Sequence, residues 1–381
     1  MVLTSELYYK AAWNRLSLLG PPEIKSEGFI SEEFVTGLKL PTKMTFVGDD
    51  ILILEKNGSV RHVTSNGTLI SKPILELEVA TANESGLIGI ISKDVFVYLY
   101  YTVPEGEEKT PKENKVVKYR WTGSNLVDPV LIKKLPAGEQ GFHNGGAMTI
   151  GKDGTVYLVI GDIITSKTIL QNFAGEDPND TGVILPVEPP GDYYGIGIRN
   201  SYGLAVDPVT GYLWDTENGP RTFDEINLVP LGFNSGWKKF QGPSHLAYLG
   251  ELPEFNVEDL PEIDGYEYSE PEFSWERSAD AAPTGIAFPT SNLFEKYQDS
   301  LFVGTCNFGS VFKFQLNSER TGFVFQNPSL QDLVYNPGDN NEELVIGQKF
   351  GCITDLQFGP DGYLYVVSLT RGAIFKLSPE P

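Results

Sequence analysis

One predicted hairpin places a rare histidine and an aspartate at its two ends. The stretch GFHNGGAMTIGKDGTVYLVIGD, residues 141 to 162, contains His143, one of 3 histidines in the chain, and ends at Asp162. An imidazole can take up a proton near neutral pH, and a carboxylate can orient it, so the pair could act as a general base and its partner. The alternative is structural: a histidine that caps a turn and an aspartate in a β-turn.

The elements that would position this pair are repeated hairpins. Six segments share an apolar strand, a short turn rich in Gly, Asp or Pro, and a second apolar or aromatic strand; they begin at Met44, Leu87, Ala147, Leu204, Ile286 and Leu356. Their period-two alternation is typical of strands with one buried face, and turns such as GKDG and GPDG tolerate positive φ. We predict an all-β fold, a six-bladed β-propeller; an irregular sandwich of the same strands is the alternative.

The composition fits this fold and narrows the range of ligands. Of 381 residues, 40 are Gly and 26 are Pro, which suits a large core crossed by tight turns. The formal net charge of −22 opposes binding to nucleic acid or to anionic membrane surfaces. No run of about 18 apolar residues indicates a membrane span. No glycine-rich phosphate loop lies between a strand and a helix, so NAD and ATP chemistry are not expected.

Three regions interrupt the repeat. We predict an N-terminal extension over residues 1–36, either a helix or an extended strap over the first blade, and a propeller over residues 37–381. Loop insertions are predicted at about 163–195, which is polar, and at about 240–282, which is acidic and Pro-rich. Such loops commonly carry specificity. For the acidic one we favour solvated padding or a partner contact.

Several features bear on the compartment. The first residues lack the pattern of an intact signal peptide, and a removed leader would leave no trace. Four Asn-X-Ser/Thr sequons are compatible with export, although such sequons are common by chance in turn-rich sequence; they begin at Asn57, Asn66, Asn83 and Asn179. Cys306 and Cys352 permit one disulfide, which we slightly favour, or two thiols. We expect an extracellular or periplasmic protein.

A set of motifs in order resembles one known family. The chain contains HNGGAMTIGKDGTVYLVIGD, IRNSYGLAVDPVTGYLWDTENGP, DEINLV, GFNSGW and TDLQFGPDGYLYV. These resemble the successive blade motifs of the glucose/sorbosone dehydrogenase family, over about residues 38–378. The best-known members are soluble, PQQ-dependent aldose dehydrogenases on a six-bladed propeller. The resemblance therefore implies an aldose substrate, an external electron acceptor, and the cofactors PQQ and calcium.

The resemblance gives roles to four residues. His143 matches the general base that takes the proton from the sugar C1 hydroxyl while hydride passes to the quinone, and Asp162 matches the carboxylate that orients this site. Arg199 and Asn200 match the pair that contacts the quinone carbonyls, where an arginine would stabilise developing negative charge. An inter-blade salt bridge is the structural alternative for that arginine.

Three further matches concern calcium. Gly219 and Pro220 match two backbone carbonyls that hold a Ca²⁺ which also binds PQQ. Two carbonyls are an incomplete ligand set, so the ion would depend on the cofactor to complete its shell. Glu225 matches a ligand of the family's second, structural calcium, and an ordinary surface carboxylate is an equal alternative.

The chain departs from the family where the three PQQ carboxylates are bound. The family's Lys and two Arg align with Asn307, Cys352 and Thr354, and the Arg that often follows HxGG aligns with Ala147. Charge-assisted hydrogen bonds contribute roughly 1.5 to 3 kcal/mol each, so their loss would weaken binding by about three or more orders of magnitude. Of these positions, Asn307 and Thr354 remain as candidate cofactor contacts. Conceivable basic substitutes are Lys349, Arg221 and Arg371.

Three functions follow from these observations. The first is PQQ-dependent, calcium-assisted oxidation of an aldose at C1 to the lactone. The second is a cofactor-free propeller that binds carbohydrate or a cell-surface partner, because the family's basic residues are lost. The third is a lactone or ester hydrolase that uses Ca²⁺ and His143 without a quinone. The oligomeric state and the sugar are left open.

Overall fold

The computed structural model describes residues 20–164, 167–173, 175–220, 222–246, 256–276, 281–307 and 309–380. Within these ranges the chain forms 28 strands in six sheets, which we number as blades 1 to 6 in chain order. Most neighbouring strands are antiparallel. None of the helices in these ranges is long and apolar enough to cross a membrane.

Blades 1 to 3 lie within residues 41–268. Blade 1 contains β3 (Pro41–Val47), β4 (Asp50–Glu55), β5 (Ser59–Val63) and β6 (Leu75–Glu76); blade 2 contains β7 (Leu87–Lys93), β8 (Phe96–Glu105), β9 (Thr110–Trp121) and β10 (Leu126–Pro136). Blade 3 contains β11 (Met148–Ile150), β12 (Val156–Ile160), β13 (Val183–Glu188), β14 (Gly195–Ile196), β18 (Phe233–Asn234) and β19 (Glu267–Tyr268).

Blades 4 to 6 complete the set. Blade 4 contains β15 (Ser201–Val206), β16 (Leu213–Glu217), β17 (Phe223–Val229), β20 (Phe273–Glu276) and β24 (Val334–Tyr335). Blade 5 contains β21 (Pro283–Ala287), β22 (Ser300–Thr305), β23 (Val311–Gln315), β25 (Val345–Gln348) and β1 (Glu23–Ile24); blade 6 contains β26 (Ile353–Phe358), β27 (Leu364–Ser368), β28 (Ala373–Pro379) and β2 (Phe29–Val35).

The blades form a closed ring. The first strands of successive blades, β3, β7, β11, β15, β21 and β26, contact one another in that order, and β26 contacts β3. These strands therefore surround a common axis. The arrangement confirms the predicted six-bladed β-propeller, in which closure leaves only short, protected sheet edges.

The hydrophobic core is divided among the interfaces between blades. Six clusters of buried hydrophobic side chains lie among the described residues, one at each interface. Each cluster contains side chains from the two blades that meet there. Taken around the ring from the interface of blades 1 and 2, one pair from each cluster is Leu52 and Leu87, Tyr98 and Leu158, Val159 and Leu213, Trp214 and Leu301, Phe302 and Leu364, and Val367 and Ile53. Because no sheet can bury both of its faces alone, stacking supplies the stability.

The N-terminal part of the chain contributes strands to the last two blades. β2 pairs antiparallel with β28, and β1 pairs with β25. The ring is thus closed by joining the two ends of the described chain within one sheet. The predicted boundary at residue 36 and the predicted insertions at 163–195 and 240–282 stay predictions, and residues 1–19 lie outside the described part.

Candidate active site

His143 and Asp162 lie side by side at one face of the propeller. His143 precedes β11 and Asp162 follows β12, and the antiparallel register of these strands pairs Met148 with Leu158. The start of one strand and the end of the next therefore lie at the same edge. The Nδ1 atom of His143 is 2.6 Å from Oδ1 of Asp162. The hairpin thus brings the two predicted residues into one hydrogen-bonded pair.

Close approach of backbone segments holds this pair against blade 4. The amide of Asp162 donates to the carbonyl of Arg199 at 2.9 Å. A Cβ at Gly161 would lie 2.4 Å from that carbonyl oxygen and 2.7 Å from the carbonyl oxygen of His143, so only glycine fits there. His143 itself has φ of 57°, and its amide donates to Oε2 of Glu84 at 2.5 Å. This backbone conformation is uncommon for residues other than glycine.

The carboxylate of Asp162 is surrounded by hydrogen-bond donors. Its Oδ2 accepts from Nε1 of Trp237 at 2.8 Å and lies 3.2 Å from Nζ of Lys238. Burial alone would raise the pKa of Asp162, but the hydrogen bond and charge of His143, the Trp237 donor and the Lys238 ammonium prevail and lower the pKa to about 2. The carboxylate is therefore ionised throughout the physiological range.

The imidazole of His143 has one occupied and one open nitrogen. Nδ1 is held by Asp162, whereas Nε2 makes no hydrogen bond to any residue in the described ranges. The side chain is 9% exposed, so it is largely shielded from water. A neutral imidazole that donates from Nδ1 keeps its lone pair on Nε2. The pair can therefore accept a proton at Nε2 from a bound hydroxyl group.

Arg199 and Asn200 lie beside this pair, in the loop that leads into β15. Nη1 of Arg199 donates to the carbonyl of Asn218, and the guanidinium lies 5.3 Å from the ring centroid of Trp237. Burial lowers the pKa of Arg199, although nearby carboxylates oppose this, and a guanidinium stays charged at neutral pH. Among the described residues, Nε of Arg199 and Oδ1 of Asn200 are buried and have no hydrogen-bond partner. Such atoms are costly unless a ligand satisfies them.

The two predicted calcium-binding carbonyls lie in the turn after β16. The amide of Gly219 donates to Oδ1 of Asp224 at 3.0 Å. A Cβ at this glycine would lie 1.8 Å from the carbonyl oxygen of Phe223, so no other residue fits without backbone movement. No described residue donates a hydrogen bond to the carbonyl of Gly219 or Pro220. Both oxygens are therefore uncommitted among the described residues, as a hard cation would require.

Glu225 is a buried strand residue of blade 4. It is 2% exposed, its Oε1 accepts from the amide of Gly242, and it lies opposite Glu217 in the register of β16 and β17. Burial raises the pKa of Glu225 to about 8 and that of Asp215 to about 7. Burial and the charges of these two neighbours raise the pKa of Glu217 well above its usual value. The three carboxyl groups form no ion pair with a described residue.

This acidic cluster is incomplete as a metal site. Within the described ranges, no three His, Cys, Asp or Glu side chains are placed to hold one metal ion. A calcium ion at Glu225 would therefore need backbone carbonyl or water oxygens in addition to this carboxylate.

The positions that lack the family's basic residues are neutral and mostly committed to the fold. Ala147 is buried between blades 3 and 4, and Cys306 and Cys352 form a disulfide that joins the loops of blades 5 and 6. The hydroxyl of Thr354 donates to a backbone carbonyl of blade 1 at 3.1 Å. Asn307 is exposed in the loop after β22. The two possibilities for the cysteines are thus resolved in favour of the disulfide.

Two of the candidate basic substitutes, Lys349 and Arg371, have other partners among the described residues. Lys349 pairs with Glu23 at 2.8 Å, and the guanidinium of Arg371 donates to the carbonyls of Lys349 and Gly20. Arg221 lies outside the described residues. The structure therefore fits the quinone end of PQQ, through Arg199 and Asn200, better than its carboxylate end.

Three residues of this site were not assigned a role from the sequence. Trp237 and Lys238 approach Asp162 from the loop after β18, and Glu84 approaches His143 from the loop before β7. Trp237 ends the motif GFNSGW, which was a usable signal. Nothing in the local sequence marked Lys238 and Glu84, because their proximity to Asp162 and His143 depends on the packing of separate loops.

Comparison with known proteins identifies the family of the chain. The sequence profile of the family described as Glucose / Sorbosone dehydrogenase matches residues 38–376. The chain belongs to the glucose/sorbosone dehydrogenase family. Among curated members, the chain is similar to aldose sugar dehydrogenase YliI of Escherichia coli, with 26% identity over 362 residues, 89% of this chain and 90% of the relative.

Solved structures of similar proteins have the same propeller fold as this member of the glucose/sorbosone dehydrogenase family. A glucose dehydrogenase crystal structure superimposes with a TM-score of 0.73 at 22% identity, covering 92% of this chain and 99% of the other. The PQQ-bound form of aldose sugar dehydrogenase from Streptomyces coelicolor gives a TM-score of 0.65 at 21% identity, covering 94% of this chain and 100% of the other. At these identities the likeness establishes the fold.

Proposed function

We propose that this protein oxidises an aldose at C1 to the lactone, with PQQ as the hydride acceptor and Ca²⁺ bound beside it. The observation that carries the proposal is the buried His143–Asp162 pair at 2.6 Å, next to Arg199 and Asn200. Each of these two residues presents a buried polar atom that has no partner in the described part of the chain. Both pairs come from one edge of blades 3 and 4.

The chain itself supplies the base. Nε2 of His143 takes the proton from the C1 hydroxyl, and the resulting imidazolium is stabilised by the ionised carboxylate of Asp162. Trp237 and Lys238 keep that carboxylate in place. The low exposure of the imidazole limits access of water to the reacting atoms.

The cofactors would be held by residues of blades 4 and 5 and of the loop that leads into blade 4. Arg199 and Asn200 would contact the quinone, the carbonyls of Gly219 and Pro220 would bind the first Ca²⁺, and Asn307 would offer a neutral contact to a PQQ carboxylate. Thr354, the other candidate, already donates its hydroxyl hydrogen to a backbone carbonyl of blade 1. PQQ, when bound, supplies a two-electron acceptor for the hydride that leaves C1. A second, structural Ca²⁺ is assigned to Glu225.

Two lines of comparison support this proposal. The Escherichia coli relative is named an aldose sugar dehydrogenase, and a structural relative from Streptomyces coelicolor is described as PQQ-bound. The disulfide between Cys306 and Cys352 favours an oxidising compartment, so we place the protein outside the cell or in the periplasm. An external electron acceptor would reoxidise the cofactor.

The test is a calorimetric titration of the protein with PQQ in the presence of Ca²⁺, followed by addition of an aldose. Micromolar or tighter binding with sugar-dependent reduction of the quinone supports the proposal. We expect His143→Ala to bind PQQ and to lose at least about 100-fold in kcat, because the general base is removed. A change of only a few fold in kcat would contradict the role of His143.

A charge-restoring variant sharpens this test. Asn307→Lys returns a cation at one PQQ-carboxylate position and should tighten PQQ binding about 10- to 100-fold, the range of one charge-assisted hydrogen bond. Asn307→Gln is the matched neutral control and should bind as the parent does. Equal affinities of both variants would mean that Asn307 does not face the cofactor.

The alternative function is a cofactor-free propeller that binds carbohydrate or a cell-surface partner. It is favoured by one observation: Ala147, Asn307, Cys352 and Thr354 are neutral, and the described basic substitutes are paired elsewhere. Absence of PQQ binding up to hundreds of micromolar, in the parent and in Asn307→Lys, would select this function. Binding to glycan panels would then be measured.

A further inference from the structure

Lys238 places a second cation on the carboxylate that orients His143. Its Nζ lies 3.2 Å from Oδ2 of Asp162 and donates to the carbonyl of Ile164 at 3.0 Å. The Lys238 side chain is 14% exposed and that of Asp162 is 2% exposed, so water screens this contact only weakly. Asp162 therefore joins the imidazole, on Oδ1, to an ammonium group, on Oδ2.

This arrangement has a direct electrostatic consequence. When His143 takes up a proton, the imidazolium lies 2.6 Å from one oxygen of the Asp162 carboxylate, and the Lys238 ammonium lies 3.2 Å from the other. Like charges that share one carboxylate inside a protein interact strongly enough to move a titration by about one pH unit. The ammonium thus opposes protonation of the imidazole before substrate arrives.

We propose that Lys238 is a positioning residue that sets the pH range in which His143 is available as the base. It acts through Asp162, which it holds by one oxygen while the imidazole uses the other. The inference about catalysis rests on the proposed function, whereas the electrostatic coupling between the two side chains does not.

Other charged groups face the same pair from neighbouring elements. Glu84, before β7, accepts from the amide of His143 and favours the imidazolium, and Lys56 lies close enough to Glu84 to interact with its charge. Arg199, before β15, interacts with the charge of Asp162 and opposes the imidazolium. These groups remain in every variant below, so a difference between variants reports on Lys238.

The first experiment needs neither cofactor nor substrate. The chain has 3 histidines, so their ring signals can be followed by NMR as a function of pH and assigned with His62→Asn and His143→Asn. In Lys238→Met the titration midpoint of His143 should lie about one pH unit higher than in the parent, because the opposing cation is gone. Lys238→Arg keeps the charge and should restore the parent midpoint.

Lys239→Met is the matched control. It removes the same charge one residue further on, where Nζ lies 4.2 Å from the ring centroid of Phe173. The His143 midpoint should stay at the parent value in this variant, and the His62 midpoint should stay constant in all variants. An unchanged His143 midpoint in Lys238→Met, with a parent-like melting temperature, would overturn the inference. If Lys238→Met does not fold, a shifted midpoint in Lys238→Arg would overturn it.

The second experiment uses the loaded enzyme. In Lys238→Met, the acid limb of the plot of kcat/KM against pH should move about one pH unit higher, as the His143 midpoint does. At acid pH the kcat/KM of this variant should therefore be about tenfold lower than that of the parent, and at high pH the two values should be equal. A purely structural role would lower activity equally at every pH. A shifted NMR midpoint without any sugar oxidation in the parent would reject the proposed function and keep the coupling.

Discussion

At the scale of single residues, the site depends on one carboxylate with several partners. The backbone N–H of Asp162 donates a hydrogen bond to the carbonyl of Arg199, and the side chain of Asp162 contacts His143, Trp237 and Lys238. In the proposed reaction, the contact with His143 orients the base, the contact with Trp237 fixes the loop after β18, and the contact with Lys238 places a charge beside the imidazole. Substitutions here should therefore change catalysis more than stability.

Asp162→Asn should lower kcat by at least about 100-fold with little change in KM. The amide retains the size of the side chain but loses the negative charge that stabilises the imidazolium. Steady-state kinetics with PQQ, Ca²⁺ and an aldose would measure this. Asp153→Asn, in the turn of the same hairpin, is the control and should leave kcat within a few fold. A folded Asp162→Asn protein with parent kcat would exclude the pair as the base.

At the scale of elements, loops from neighbouring blades are joined covalently where the family uses charge. Cys306 follows β22 and Cys352 precedes β26, so the disulfide connects blades 5 and 6 at the face that carries the site. The bond stabilises the inter-blade contact without supplying a cation. In the proposed complex, this placement would leave the anionic cofactor without a cation at these two loops.

Replacement of both cysteines by serine should lower the free energy of unfolding by about 3 to 4 kcal/mol. The two residues are 46 apart in sequence, and opening a loop of this length releases chain entropy in the unfolded state. Urea denaturation of the variant and the oxidised parent would measure the difference. Parent-like stability of the double variant, or two reactive thiols in the native parent, would contradict the disulfide.

At the scale of the whole molecule, a partly buried lysine connects opposite sides of the ring. Lys43 of blade 1 donates to the carbonyl of Tyr202 in blade 4 at 2.7 Å and lies 3.3 Å from Oδ1 of Asp355 in blade 6. Burial raises the pKa of Asp355, and Lys43 opposes that shift. The contact links three blades near the axis, so it should contribute to closure of the ring.

Lys43→Met should lower the free energy of unfolding by about 3 to 5 kcal/mol at pH 7, because it leaves a buried carboxylate unpaired. The pKa of Asp355 would then rise further above its value in the unfolded chain. The folded state would bind the extra proton as the pH falls, so the loss of stability should be smaller at pH 5 than at pH 7.

Urea denaturation at both pH values would measure this effect. Lys39→Met, at an exposed position four residues earlier, is the control and should change stability by less than about 0.5 kcal/mol. A loss that does not depend on pH would mean that Asp355 is not the group left unpaired.

Local patterns in the sequence determined the strands and one pair of the site. Alternating apolar residues and glycine-rich turns act over a few residues, so the six hairpins could be predicted, and with them the meeting of His143 and Asp162 at one strand edge. The family motifs likewise located Arg199 and Gly219, since each occupies a turn next to a predicted strand.

Only the tertiary structure decided what surrounds that pair. Glu84 and Lys238 reach His143 and Asp162 from loops that are 59 and 76 residues away in sequence, and Glu225 proved to be buried, which its motif did not reveal. These contacts depend on how six blades close into a ring. Ring closure depends on shape-matched packing at every interface between blades. No periodic pattern or turn in the local sequence encodes a contact between residues so far apart in the chain.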